Sequence, residues 1–115
     1  MATLRCGDHE VPLKFSNQFL AHLQVAAHKR FVRGGGGFFL TWTYTDSDGN
    51  EVTVSQWLHP SVPLQFVFDV RDDSNERMPP VELDHNEIDA MTDAMARPVG
   101  VKATDEVWLS FTERL

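Results

Sequence analysis

The spacing of apolar residues changes period along the chain, from two to about 3.6 and back, and each change marks an element. In the first fifteen residues the pattern is strand-like. Residues 2–6 and 10–15 read as two short strands joined around Gly7-Asp8. Helical spacing takes over after Ser16, a good N-cap, with Phe15 and Leu20 at the two positions of a hydrophobic staple. Leu20, Leu23, Ala27 and Phe31 recur along one face, with Phe19 and Ala26 beside them. Lys29, Arg30 and Arg33 crowd the last turn, where cations suit the negative end of the helix dipole. Four glycines at 34–37 then end the helix, because glycine tolerates the left-handed geometry of a C-terminal cap.

Period two returns at residues 38–45. There Phe39, Thr41 and Thr43 alternate with Leu40, Trp42 and Tyr44, the pattern of a strand partly covered on both faces. Asp-Ser-Asp-Gly-Asn at 46–50 turns the chain into a partner strand at 51–58. Residues 64–70 supply a third, with Leu64, Phe66 and Phe68 on one face. Between them, Pro60 and Pro63 each remove a backbone donor and fix φ, so residues 55–66 read as a rigid corner. A residue before proline is held extended, so the backbone aims His59 either at the turn or at a partner. Residues 71–82 are polar and proline-bearing and form a loop. A second helix is announced by Asp84 as cap, Glu87 as the other half of a capping box, and Leu83 with Ile88 as a staple. Ile88, Met91 and Met95 make its apolar stripe, and Pro98 with Gly100 ends it. Residues 101–103 and 107–111 offer one or two last strands. The order ββαβββα(β) predicts an α+β fold: one domain over 1–115, with an antiparallel sheet and two helices packed on one face.

Composition narrows the function without supplying one. A chain of 115 residues has room for a single core, and twelve aromatic residues, eight of them Phe, imply a core that is aromatic-rich for its size. Ten basic against seventeen acidic side chains give a net charge of −7, which favours solubility and repels phosphate backbones. The single Cys6 excludes an intrachain disulfide and a cysteine-based zinc cluster. No apolar run approaches the roughly 18–20 residues of a membrane span, and Arg5, Asp8, His9 and Glu10 interrupt any leader-like stretch. The expectation is a cytoplasmic protein without a cofactor.

Several motifs suggest chemistry, and each fails on position. A phosphate loop needs backbone amides at the start of a helix, whereas residues 34–37 follow a helix, precede a strand and lack a Gly-Lys-Ser/Thr. They read as a mobile linker. In a calcium-loop register, Tyr44 would stand first and Ser55 at the bidentate twelfth position, so a hairpin through Asp48-Gly49 is preferred. His22 and His28 lie six apart, off the alignment that a shared ion requires, while His9 falls in a turn and His85 beside a helix cap. Ser61 follows His59-Pro60, yet sequence neighbours are seldom triad partners, and no Gly-x-Ser-x-Gly elbow exists. No catalytic or metal-binding set is expected.

Helix, three strands and helix is also the order of double-stranded RNA-binding domains and, with a leading strand, of ribosome hibernation factors. Such domains reach phosphates with lysines on the second helix. Here that helix carries Asp84, Glu87, Asp89 and Asp93 against a single Arg97. Only the cluster Lys29, Arg30 and Arg33 supports an RNA or DNA reading.

Residues 21–42, with Ala-His-Leu-Gln-Val on the helix and Phe-Phe-Leu-Thr-Trp on the strand, and residues 57–68, with Trp-Leu-His-Pro, carry a further likeness. Together with residues 78–102 they resemble a family of small actinobacterial proteins. The resemblance covers most of the chain, and residues 104–115, with Trp108 and Phe111, read as an extension beyond it. Members of that family are often labelled ATP-dependent DNA ligase. A ligase takes its adenylate on the lysine of Lys-x-Asp-Gly, whereas Lys14, Lys29 and Lys102 are followed by Phe-Ser, Arg-Phe and Ala-Thr.

Three readings of function follow. The first is a non-enzymatic domain that binds a protein partner or itself, with Trp42 and Trp57 on an uncovered sheet face; the competing arrangement buries both in the core. The second is a nucleic-acid-associated accessory protein using Lys29, Arg30 and Arg33. The third is a pocket around His22 and His59, which lacks a partner carboxylate or nucleophile. The candidate binding residues are His22, Arg30, Arg33, Trp42, Trp57 and His59.

Overall fold

The computed structural model describes residues 2–103 and the backbone of 107–109. In chain order the elements are β1 (Thr3–Cys6), β2 (His9–Glu10), β3 (Leu13–Phe15), α1 (Asn17–Val32), β4 (Phe38–Thr45), β5 (Glu51–Leu58), β6 (Leu64–Val67), α2 (His85–Met95), β7 (Val101–Lys102) and β8 (Val107–Leu109). The α+β class is the one that the periodicity predicts, with β4 and β5 at the predicted bounds; the strand expected at 10–15 is divided into β2 and β3, and the one expected at 64–70 ends at Val67. Residues 110–115, which hold the end of the last predicted strand and Phe111, lie outside the described residues.

Alternation alone predicts one antiparallel sheet. Hydrogen bonding divides the strands among three: β2-β1-β6, β3-β8 and β5-β4-β7. Prolines make the divisions. Pro12 interrupts the chain between β2 and β3, where the Leu13 amide donates back to the Val11 carbonyl at 2.7 Å. Pro60 and Pro63 end β5, and β6 pairs with β1. After α2 the chain returns as β7 alongside β4 in the parallel sense, Leu40 opposite Val101.

The β4–β5 hairpin is fixed at its turn. The Asp46 carboxylate accepts from the Asp48 and Asn50 amides, both at 2.9 Å, and the Asp46 amide donates to the Asn50 carbonyl at 2.9 Å. Gly49 takes φ 83 there. The Asp46 amide therefore points at Asn50 across the ladder, the orientation of a hydrogen-bonded position, and such positions alternate along an antiparallel ladder. Val52, Val54, Gln56 and Leu58 direct their amides at β4, while Glu51, Thr53, Ser55 and Trp57 direct theirs away from it. The closer, non-bonded pairs confirm the phase. Thr41 meets Ser55 and Thr43 meets Thr53 through hydroxyls, each at 3.0 Å.

Phe38, Leu40 and Trp42 of β4 point inward with Leu58, against Leu20, Leu23 and Ala26 of α1 and Ile88 and Met95 of α2, and all are buried. The Trp42 indole N–H is buried without a hydrogen-bond acceptor among the described residues. α1 opens as predicted, Ser16 Oγ accepting from the Phe19 amide at 3.0 Å, and the Phe15 ring stacks on Phe19 with centroids 5.6 Å apart. After the Arg33 cap, Gly34 turns left-handed at φ 73. The glycine stretch is braced rather than loose. Arg30 reaches over it and donates to the Gly36 and Gly37 carbonyls at 3.1 to 3.3 Å.

At the start of α2, Asp84 caps the Asn86 and Glu87 amides. A capping box would have Glu87 reach back to the Asp84 amide. That amide instead donates to His22 Nε2 at 2.8 Å. Fully buried His22 holds the Gln18 carbonyl at 2.6 Å through Nδ1. An amide only donates and a carbonyl only accepts, so the ring is the neutral tautomer with its proton on Nδ1. Glu87, 3.7 Å from Nε2, adds no bond to that acceptor. The second staple is weak as well, with Leu83 exposed while Ile88 is buried.

His22→Phe keeps a ring of similar bulk but strands the Asp84 amide. It should cost about 1–3 kcal/mol in urea unfolding, against less than about 1 kcal/mol for Glu87→Gln. Equal losses would show that Glu87 is the working cap.

Candidate interaction site

Trp57 stands on the face of β5 that points away from the core, and 49% of it is exposed. The register places it opposite Phe39, and the two rings meet at 4.8 Å with a tilt of 56°. The indole also stacks near the His59 ring, centroids 6.1 Å apart and 25° from parallel. Beneath it lies Gly37. A Cβ there would come within 2.5 Å of the indole and 2.7 Å of the Leu58 carbonyl. Arg30, by gripping the carbonyls of residues 36 and 37, thus sets the floor on which Trp57 rests. On the β7 side, the Thr41 hydroxyl donates to the Val99 carbonyl at 2.7 Å, and the Val99 side chain is exposed. Gly100 follows at φ 73, where a Cβ would collide with the Phe39 carbonyl.

His59 resolves toward the turn. Its Nδ1 accepts from the Ser61 amide at 3.1 Å and lies 2.6 Å from Ser61 Oγ, while the Val62 amide closes on the His59 carbonyl. A serine and a histidine in contact suggest a nucleophile and its base. The Nδ1 lone pair is already shared with the Ser61 amide, and no carboxylate among the described residues orients the ring, so the pair reads as a turn cap. Cys6 is buried, and desolvation pushes its thiol above the ordinary value, which suppresses the reactive thiolate. Among the described residues no three His, Cys, Asp or Glu side chains converge on one point.

The remaining candidates separate. Trp42, opposite Val54 and three register positions along the ladder, is 3% exposed and belongs to the core, so the two tryptophans divide between the two expected arrangements. His22 and His59 do not share a pocket, because both nitrogens of His22 are committed between α1 and α2. Of the basic cluster, Arg30 braces the glycines and Lys29 lies 3.9 Å from Asp89, leaving Arg33 exposed at the helix end. Three contributors to the site were absent from the sequence candidates: Phe39, Gly37 and the outward amides of β5. Centring the hairpin on residue 48 pairs Phe39 with Trp57, so that much was within reach. A second feature, invisible in the sequence, is an apolar cleft of about 550 Å³ between Val25 and Phe31 of α1 and Pro63, Leu64 and Phe66 near β6.

A family model described as Domain of unknown function (DUF7882) matches residues 1–106. The chain belongs to the DUF7882 family. No curated protein and no solved structure matches it. Every element of this DUF7882 domain through β7 falls within the match, as do Gly37, Phe39, Trp57 and His59. No helix among the described residues is long and apolar enough to cross a membrane.

Because Trp57 lies outside the core, Trp57→Ala should cost under about 1.5 kcal/mol, whereas truncating its buried neighbour in Leu58→Ala should cost about 2–5 kcal/mol. Gly37→Ala should cost about 1–3 kcal/mol through overpacking and shift the Trp57 indole resonance. An unmoved indole would mean that Gly37 is not its floor.

Proposed function

We propose that this domain is a non-enzymatic binding module that works through protein contacts at the Trp57 end of β5. One observation carries the reading: a large aromatic side chain, half exposed, is held in place on Phe39 at the end of a strand whose outer amides are unpaired among the described residues. A pre-positioned indole loses little conformational freedom when covered, and buried tryptophans are the commonest anchors of protein interfaces. The free edge adds main-chain hydrogen bonds for an extended partner segment.

The nucleic-acid reading draws less support. Two of its three cations are engaged elsewhere in the fold, and α2 presents carboxylates at Glu87, Asp89 and Asp93.

The test is a photo-crosslinking amino acid, p-benzoylphenylalanine, placed in living cells at Thr53 on the edge or at Asp73 in the exposed loop. Protein adducts are expected at position 53, none at 73, and their loss on adding Trp57→Ala. An absence of adducts at 53 would reject the reading.

A further inference from the structure

We infer that the partner at the β5 edge is a second copy of this chain, joined by antiparallel pairing of β5 with β5 about a two-fold axis at Val54. The inference rests on the protein-contact reading above and gives it a specific partner.

Edge strands in folded proteins carry devices that prevent such pairing: lysines, prolines, bulges or short length. β5 has none of them. It runs eight residues, Glu51 to Leu58, contains no proline or lysine, and bears one charged side chain, Glu51, at its first position. The ladder with β4 is continuous, without a bulge. The other edges among the described residues are short: β6 has four residues and follows Pro63, β2 and β7 two each, and β3 and β8 three each. Of the outward carbonyls on β5, only that of Trp57 is engaged among the described residues, by the Gln56 side chain at 3.2 Å.

Parity selects the register. Outward amides belong only to residues 51, 53, 55 and 57, so two copies can pair only where odd positions meet odd positions. Centring on Val54 sets Thr53 against Ser55 of the second copy and Glu51 against Trp57 of the second copy, which matches all four. Centring one residue to either side leaves an outward residue at the strand end without a counterpart. At the chosen register the facing side chains are compatible. The small hydroxyl residues meet at the centre, and the Glu51 methylenes lie against the indole of the other copy. The contact is isologous and closed, so it ends at a dimer with a six-stranded sheet in the order β7-β4-β5-β5-β4-β7. The net charge of −7 on each copy opposes the pairing. It acts at a distance, because the strand itself carries only Glu51, and salt therefore strengthens the dimer.

Light scattering on the full chain, from micromolar to near-millimolar concentration, should show the 13.0 kDa monomer giving way to twice that mass. Ser55→Pro removes an outward amide, a change that edge strands tolerate, and Thr53→Lys supplies the missing charge; each should weaken dimerisation at least about tenfold with the circular dichroism spectrum unchanged. Val54→Cys should crosslink the two copies on oxidation. A monomer at every concentration, or a dimer indifferent to both edge substitutions, would overturn the inference. Should the chain stay monomeric while position 53 crosslinks to a different protein, self-pairing fails and the binding-module reading stands. Without adducts of any kind, both fail.

Discussion

The hydrogen bond from the Asp46 amide to the Asn50 carbonyl sets the phase of the β4–β5 ladder, and the phase decides where every side chain of the hairpin stands. With Asp46 opposite Asn50, Phe38, Leu40 and Trp42 enter the core together with Leu58. Thr41 and Thr43 then meet Ser55 and Thr53 on the opposite face of the hairpin, and Phe39 meets Trp57 there. A slip of one residue in β5 would carry Leu58 to the outer face and Trp57 to the inner one. Losing one large core side chain to water costs about 1.5–3 kcal/mol, a sizeable share of what a domain of this size has. The Asp46 carboxylate, by holding two amides of the turn, protects that register at the point where the chain reverses.

Two polar side chains tie the helices to this frame. His22 joins α1 to the first turn of α2 by satisfying the Asp84 amide, a group that would otherwise be left without a bond at a helix start. Arg30 does the corresponding work at the other end of α1, donating to carbonyls of a glycine run that has no side chains of its own to pack. Both residues belong to the kinds usually suspected of binding something, a histidine and an arginine. Both are occupied by the backbone. Their engagement is what leaves Trp57, which has no such structural duty, as the more informative residue.

Much of the fold was legible in the order of residues because the signals were local. Ser16 and Asp84 announced their helices, Asp48-Gly49 its hairpin, and strict alternation gave β4 and β5 to the residue. What was not legible depended on partners far apart in the chain. The pairing of β6 with β1 and the parallel β7 are choices among strands that alternation cannot rank. Glu87 at the third helical position satisfied the capping-box pattern, yet a histidine 62 residues away from the cap supplied the bond. Periodicity placed Trp42 and Tyr44 on one face and Phe39 on the other, but which face met the helices was open until the core was assembled. The candidate site suffered most. Its floor is a glycine, and its hydrogen-bonding groups are main-chain amides, neither of which advertises a role by residue type.

A site built this way has a physical logic of its own. Main-chain amides at a strand edge bind any extended segment with similar strength, so selectivity must come from what stands beside them. Here that is one indole, placed by the register and by the Arg30 brace, followed at once by a corner that Pro60 and Pro63 stiffen. The corner limits how far a partner strand can run past Leu58, and the Asp46 turn limits it at the other end. An edge bounded at both ends and uncharged between them favours a partner of the same length and the same pattern. β5 itself meets both conditions.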